Sequence, residues 1–217
     1  MSINYRRILI WGLSGTYFYK DKNQRNQFID LVSKVLIEKY KIDLPKEKIK
    51  EMAINAYREE SDFTLPFVKE YGLDSLELSQ ELFKNIPVDE IEFDNASDLL
   101  NSFPQEQYIL TKISKYWAEK LLKKLDLYDF FKDRVYYHEE FLKNGCSNEQ
   151  EIYEAFCNEL FVKPQDCIII EDVNFRLKKP KEMGFNTIKI SVSESDYGDG
   201  IYYDKSYKTI DEFIADM

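Results

Sequence analysis

A short turn near the amino terminus stands where an α/β enzyme usually places its chemistry. The apolar run RILIW (7–11) leads into GLSGT (12–16), and the carboxyl end of a parallel strand is the usual location of an active site. This turn contains no acidic or basic residue, no cysteine and no histidine. It offers backbone N–H groups and hydroxyl groups for binding, but it carries no strong nucleophile and no general acid.

Three later segments also place reactive side chains at the ends of apolar runs. QYILT ends in Thr111, RVYYH ends in His138, the only histidine, and CIIIED ends in Glu171 and Asp172. Such runs are typical of buried parallel strands. Because the carboxyl ends of parallel strands meet at one edge of a sheet, we expect these side chains to lie near the turn at 12–16.

The elements that must position these residues form two regions. From residue 104 onward, strand patterns, the last of them NTIKIS (186–191), alternate with helical patterns. This alternation predicts an α/β fold with a doubly wound, Rossmann-like parallel sheet. Residues 19–103 show apolar residues at helical spacing and no convincing strand. We therefore predict an α/β core formed by 1–18 and 104–217, with an all-helical cap at 19–103 inserted above the carboxyl edge of the sheet.

Composition excludes several classes of function. The 217 residues carry a net charge of −10, which repels phosphate backbones and argues against nucleic-acid binding. The sequence has no run of the roughly 20 apolar residues that a membrane helix needs, and MSINYRRILIWGLSG is not a signal peptide. Three cysteines without CxxC spacing suit a reducing compartment. We expect a cytoplasmic globular protein without a membrane partner.

Several motifs together resemble a known family. ILIWGLSGTYF is similar to the first motif of the haloacid dehalogenase (HAD) superfamily, whose usual form is a strand followed by Asp-x-Asp-Gly-Thr. YILTKIS resembles the second motif, IIIEDVNFRLKKPKEMGF the fourth, and DYGDGIYYDKSYKTIDEFI the terminal segment. The helical region resembles the C1-type cap of subfamily I, and YGLDSLELSQELFKNIPVDEI is similar to caps of pyrimidine 5′-nucleotidase-like hydrolases.

The resemblance implies that three catalytic positions have changed. Gly12 stands at the position of the nucleophilic aspartate, and Ser14 at that of the acid/base aspartate. Ser147, in SNEQEIY, stands where the third motif carries its lysine. Loss of a catalytic nucleophile commonly costs about 10⁶ in turnover. The resemblance therefore implies degenerate catalytic motifs.

Other positions of the motifs are retained. By the resemblance, Asp172, with Glu171 beside it, would be the metal ligand. We expect no cofactor, or at most weak Mg²⁺ binding, because residue 12 supplies no carboxylate. Lys112 follows Thr111 at a predicted helix start, where anions are favoured. The predicted ligand-binding residues are Ser14, Gly15, Thr16, Thr111 and Lys112.

Three functions remain open at this stage. The leading hypothesis is a degenerate HAD-like hydrolase, a pseudo-phosphatase that binds a small phosphorylated molecule, a nucleotide or a protein partner without turnover. A first alternative is an active phosphatase or nucleotidase with a displaced, Mg²⁺-assisted site, or a rewired set of Ser14, His138 and nearby acids. A second alternative is a pure protein-interaction module whose pocket is filled by its own side chains, such as Trp11 or Tyr17. The sequence leaves the oligomeric state undetermined.

Overall fold

A computed structural model describes residues 8–13, 22–60, 62–85, 100, 103–190 and 201–216, without the side chains of 22–26 and 58–60. The chain divides into two compact units. One consists of Met1–Phe18 and Ile91–Met217, and the other of Tyr19–Glu90.

The smaller unit is helical throughout its described residues. Its helices are α1 (Lys22–Glu38), α2 (Lys46–Glu60), α3 (Leu65–Tyr71) and α4 (Ser75–Lys84). Gly72, with φ of 63°, ends α3, and the Asp74 carboxylate begins α4 by accepting a hydrogen bond from the Glu77 N–H group. Phe67 is fully buried in the core of this unit, and the Phe63 ring stacks on Tyr57 at 4.1 Å. These aromatic side chains therefore serve packing within the unit.

The larger unit is built on a six-stranded sheet in which every neighbouring pair is parallel. The strands are β1 (Ile8–Trp11), β2 (Gln107–Thr111), β3 (Val135–Tyr137), β4 (Cys167–Glu171), β5 (Asn186–Ile190) and β6 (Lys205–Tyr207), in the order β3-β2-β1-β4-β5-β6. The predicted α/β class with a doubly wound parallel sheet is confirmed. Strand β6 was not predicted, because this short edge strand is mostly exposed and lacks an apolar run.

Helices follow the strands of this unit along the chain. They are α5 (Lys115–Lys124), α6 (Tyr128–Phe131), α7 (His138–Lys143), α8 (Glu149–Glu159), α9 (Lys178–Glu182) and α10 (Ile210–Ala215), with 3₁₀ turns at Pro164–Asp166 and Asn174–Leu177. Of the helices that the structure describes in either unit, none is both long and apolar enough to cross a bilayer.

The side chains of β1 alternate between the two faces of the sheet. Ile8 and Ile10 pack into a core cluster with Phe156 and other buried residues. Trp11 belongs to the opposite face, where its ring lies 5.7 Å from Phe103 and 6.2 Å from Phe213. Its Nε1 donates a hydrogen bond to the Gln107 side chain at 3.1 Å. Trp11 is thus a core residue and does not fill the space at Gly12.

Candidate functional site

The carboxyl edge of the sheet brings the ends of the central strands together. Trp11 pairs with Ile170 in the β1–β4 register, and the Gly12 N–H group donates to the Ile170 carbonyl oxygen at 2.8 Å. Gly12 is therefore level with Glu171, the last residue of β4. Side chains at paired positions of neighbouring parallel strands lie on the same face of the sheet. The Glu171 side chain therefore lies beside Gly12, which has no side chain.

The Glu171 carboxylate occupies the space beside Gly12. A β-carbon built on Gly12 would lie 2.5 Å from Oε1 and 2.7 Å from Oε2 of Glu171. A side chain on residue 12 and the Glu171 carboxylate would therefore compete for the same space.

An ion pair and a backbone hydrogen bond involve this carboxylate. The Arg176 guanidinium lies 3.7 Å from Glu171 Oε2, and both side chains are only 13% exposed. The backbone N–H of Asp172 donates to the same oxygen at 3.3 Å. Burial, with a smaller contribution from the neighbouring Asp172, outweighs the opposing effects of Arg176 and Lys112 and raises the pKa of Glu171 to about 7.

Asp172 supplies the second carboxylate of this edge. Its side chain is buried, and in the described part of the chain its Oδ1 atom has no hydrogen-bond partner. The described residues contain no group of three or more His, Cys, Asp or Glu side chains that could hold a metal ion. Glu171 pairs with Arg176, and Gly12 offers no side-chain ligand. Weak Mg²⁺ binding by Asp172 and Glu171 stays a prediction.

Thr111 and Lys112 lie at the end of the adjacent strand β2. Thr111 is buried, and its hydroxyl oxygen accepts a hydrogen bond from the Ile113 N–H group at 3.2 Å. Lys112 Nζ lies 3.2 Å from Glu149 Oε1, in the first turn of α8. Lys112 therefore already has an acidic partner on the neighbouring helix.

His138 begins α7 directly after β3 and is buried. Burial, together with the positive charges of Lys112 and Arg176, lowers its pKa to about 3. The imidazole is therefore neutral at physiological pH. The acids that follow it in sequence are engaged by Lys115: Glu139 accepts its backbone N–H, and Glu140 pairs with its ammonium group. Glu139 and Glu140 therefore do not orient the His138 ring, as the predicted set of Ser14, His138 and a nearby acid would require.

Ser147 is exposed just before α8 and takes part in capping that helix. Its hydroxyl and backbone N–H both donate to the Glu151 carboxylate, at 2.9 Å and 2.7 Å to Oε2. The Asn148 side chain accepts from the Glu151 N–H group, which completes the reciprocal arrangement. Of the other predicted site residues, Ser14, Gly15 and Thr16 lie outside the described residues, as does Tyr17.

Sequence reasoning missed Arg176 and Glu149, the charged partners of the edge. Arg176 follows Glu171 by five positions, and the 3₁₀ turn Asn174–Leu177 brings it back to that carboxylate. Glu149 is one of several acids at the start of α8. The signal that could have found the central contact is the strand register: RILIWG and CIIIE end level with one another, which aligns Gly12 with Glu171.

Among known proteins, only solved structures show a similarity to this chain. Neither a protein-family profile nor a curated protein sequence matches this chain. A HAD hydrolase from Bacillus subtilis, YfnB, bound to magnesium, is similar with a TM-score of 0.66 at 18% identity, covering 96% of this chain and 97% of that one.

Two further structures match over similar lengths. L-2-haloacid dehalogenase from Xanthobacter autotrophicus, with chloropropionic acid covalently bound, has a TM-score of 0.59 at 14% identity and covers 96% of this chain and 97% of its own. A HAD family hydrolase from Deinococcus radiodurans, with bound phosphate and sodium, has a TM-score of 0.60 at 12% identity, with coverages of 97% and 94%. These likenesses and the parallel sheet confirm the predicted resemblance at the level of the fold: the chain has the fold of the haloacid dehalogenase-like hydrolases.

Proposed function

We propose that this chain is a degenerate HAD-like hydrolase that uses its fold for binding and does not hydrolyse phosphomonoesters through an aspartyl-phosphate. The observation that carries the proposal is the contact between Gly12 and Glu171. Residue 12 has no side chain, and the space that a nucleophilic aspartate would use holds a carboxylate paired with Arg176.

The charges of the edge support the same proposal. Among the described residues of this edge, Lys112 is paired with Glu149 and Arg176 with Glu171. Two of the HAD structures carry magnesium or phosphate with sodium. In this chain, the carboxylates of Glu149 and Glu171 already offset these two cations, which weakens their neutralisation of a transferring phosphoryl group.

The ligands that fit the proposal are a small phosphorylated molecule, a nucleotide or a protein partner. The C1-type cap and the likeness to nucleotidase caps make the helical unit the part that would select among them. The three cysteines are all free thiols, which suits the cytoplasmic location that we propose.

A broad phosphomonoester panel with Mg²⁺ tests the proposal. We expect the wild-type protein to show no turnover above that of Asp172→Asn, measured as phosphate release. A shape-matched control on the same panel is Asp133→Asn, which changes an exposed residue of the same unit. Robust wild-type turnover that disappears in Asp172→Asn but persists in Asp133→Asn would overturn the proposal.

One observation favours the second candidate, a hydrolase with a displaced site. The Glu171 carboxylate lies beside the position that the nucleophile's β-carbon would take, and Thr111 ends the adjacent strand. In that reaction, a Glu171 oxygen would attack phosphorus, the P–O bond to the alcohol would break, the alcohol would take a proton, and water would then hydrolyse the acyl phosphate. The test is mass spectrometry after incubation with a phosphomonoester. Phosphorylated Glu171 in the wild-type protein would establish this candidate over the first.

A further inference from the structure

Two of the three cysteine side chains lie together in the core of the larger unit. Cys157 is on the buried face of α8, near the end of that helix, and Cys167 is the first residue of β4. Because α8 belongs to the crossover between the parallel strands β3 and β4, its last turns lie at the end of the sheet where β4 begins. Both side chains belong to one cluster of buried residues, together with Ile169 and Phe185.

The connection from α8 to β4 brings the two thiol groups to each other. The Val162 N–H group donates to the Cys157 carbonyl oxygen at 3.0 Å, and the Cys167 thiol donates to the Lys163 carbonyl oxygen at 3.4 Å. Two consecutive residues of this connection therefore contact the two cysteines. Each thiol is also a hydrogen-bonding partner of the other, which lowers the pKa of Cys157 and raises that of Cys167.

The sequence alone does not select this pair of cysteines. Cys157 lies eleven positions after Cys146 and ten before Cys167, so the unfolded chain would bring either of them to Cys157 with similar ease. In the fold, Cys146 precedes α8, and the helix axis extends about 12 Å from Glu149 to Cys157. A disulfide requires Cα atoms no more than about 7 Å apart. The tertiary structure therefore favours Cys167 as the partner of Cys157.

We propose that Cys157 and Cys167 form a redox-active pair, which a peroxide converts reversibly into a disulfide bond. The Cys157 thiolate would attack one peroxide oxygen, the O–O bond would break, and the other oxygen would leave as water, which makes Cys157 a sulfenic acid. The Cys167 sulfur would then attack the Cys157 sulfur, and the S–O bond would break. The leaving hydroxide would take the Cys167 proton and form a second water, so two thiols are oxidised and one peroxide is reduced.

Cys157 is the thiol that should react first. It is 5% exposed, whereas Cys167 is fully buried, so a small peroxide reaches Cys157 more readily. The thiolate is the reactive form of cysteine, and the hydrogen bond from Cys167 that lowers the pKa of Cys157 favours this form. Cys167 would then be the resolving thiol, already in contact with its partner.

The wild-type protein is sufficient for the main test. The folded protein is treated with hydrogen peroxide, then unfolded and alkylated, and its free thiols are counted by mass spectrometry. We expect the count to fall from three to one, with a Cys157–Cys167 linkage in the non-reduced peptide map and recovery of all three thiols after treatment with dithiothreitol. The same treatment of the urea-unfolded protein should give linkages of Cys157 to both other cysteines.

Single variants assign the role of each thiol. Cys146→Ala is the matched control and should lose both of its remaining thiols to the same linkage. Cys157→Ala should keep both of its thiols, because the reactive thiolate is absent. Cys167→Ala should accumulate a sulfenic acid on Cys157, which dimedone labels. Circular dichroism verifies that each variant is folded, and the peptide map of the wild-type protein decides the question for any variant that is not.

The inference is overturned if the folded wild-type protein keeps three free thiols after the peroxide treatment. It is also overturned if linkages that contain Cys146 are as abundant in the folded protein as the Cys157–Cys167 linkage, because the fold would then give Cys157 no preferred partner.

Discussion

The Glu171 carboxylate lies in the space that any side chain on Gly12 would need. This relationship follows from the parallel register of β1 and β4, which places the last residue of β4 beside the first residue after β1. A glycine at position 12 and a glutamate at position 171 are therefore complementary in volume.

Gly12→Ala is expected to destabilise the protein, because its β-carbon would lie 2.5 Å from Glu171 Oε1 and force the carboxylate to move. Overpacking of this kind typically costs about 1–3 kcal/mol. Urea unfolding of Gly12→Ala, Glu171→Ala and the double variant gives a double-mutant cycle. We expect most of the cost to disappear in the Glu171→Ala background. Additive free energies would show that the two residues do not compete for space.

The stability of the protein between pH 4.5 and 6.5 should reflect two opposing groups. The folded-state pKa of His138 is about 3, below its ordinary value of 6.5, so the unfolded chain binds the extra proton and stability falls as the pH falls. The folded-state pKa of Glu171 is about 7, above its ordinary value of 4.5, so the folded chain binds the extra proton and stability falls as the pH rises. Each contributes at most about 1.4 kcal/mol per pH unit.

Single variants separate these two contributions. In His138→Gln, the unfolding free energy should decrease more with rising pH than in the wild-type protein. In Glu171→Gln, it should decrease more with falling pH. Urea unfolding at pH 4.5, 5.5 and 6.5 measures both. Parallel pH profiles for all three proteins would contradict the assignment of buried, shifted groups to this edge.

Asp172→Asn is expected to stabilise the protein at pH 7. The Oδ1 atom of Asp172 is buried, and no hydrogen-bond partner for it occurs among the residues described. A neutral amide avoids the cost of an unsatisfied buried charge and removes a like charge beside Glu171, a gain of about 1–3 kcal/mol. The exposed control Asp133→Asn should change the unfolding free energy by less than about 0.5 kcal/mol. A marked loss of stability in Asp172→Asn would show that this carboxylate is satisfied.

Gln107→Leu should destabilise the face of the sheet that holds Trp11. The Gln107 side chain accepts from Trp11 Nε1 at 3.1 Å and donates to the Leu100 carbonyl oxygen at 2.8 Å. Removing both bonds in a buried position should cost about 1–3 kcal/mol of unfolding free energy and alter the near-UV circular dichroism of Trp11.

Gln105→Leu is the matched control for this change. Gln105 is also buried, but its Oε1 has no hydrogen-bond partner within the described residues. Its replacement should therefore be close to neutral. Equal losses in the two variants would indicate that packing, and not the Trp11 hydrogen bond, makes position 107 important.

The sequence alone predicted the α/β class, the strands β1 to β5 and the edge at which the candidate residues meet. These features depend on local patterns: apolar runs of strand length, and reactive residues at their carboxyl ends. β6 was not predicted because its residues are polar and largely exposed. The identities of residues 12, 14 and 147 are likewise read directly from the sequence.

Only the tertiary structure decided what occupies the space at Gly12. From the sequence, Trp11 was one candidate for filling this space. Side chains along β1 alternate between the two faces of the sheet, and the Trp11 ring packs on the opposite face against Phe103 and Phe213. The carboxylate comes instead from Glu171, more than 150 positions away, and Arg176 holds it. Local periodicity determines which residues form strands, whereas the contacts between side chains of different strands depend on strand order and register, which are set by the packing of the whole sheet.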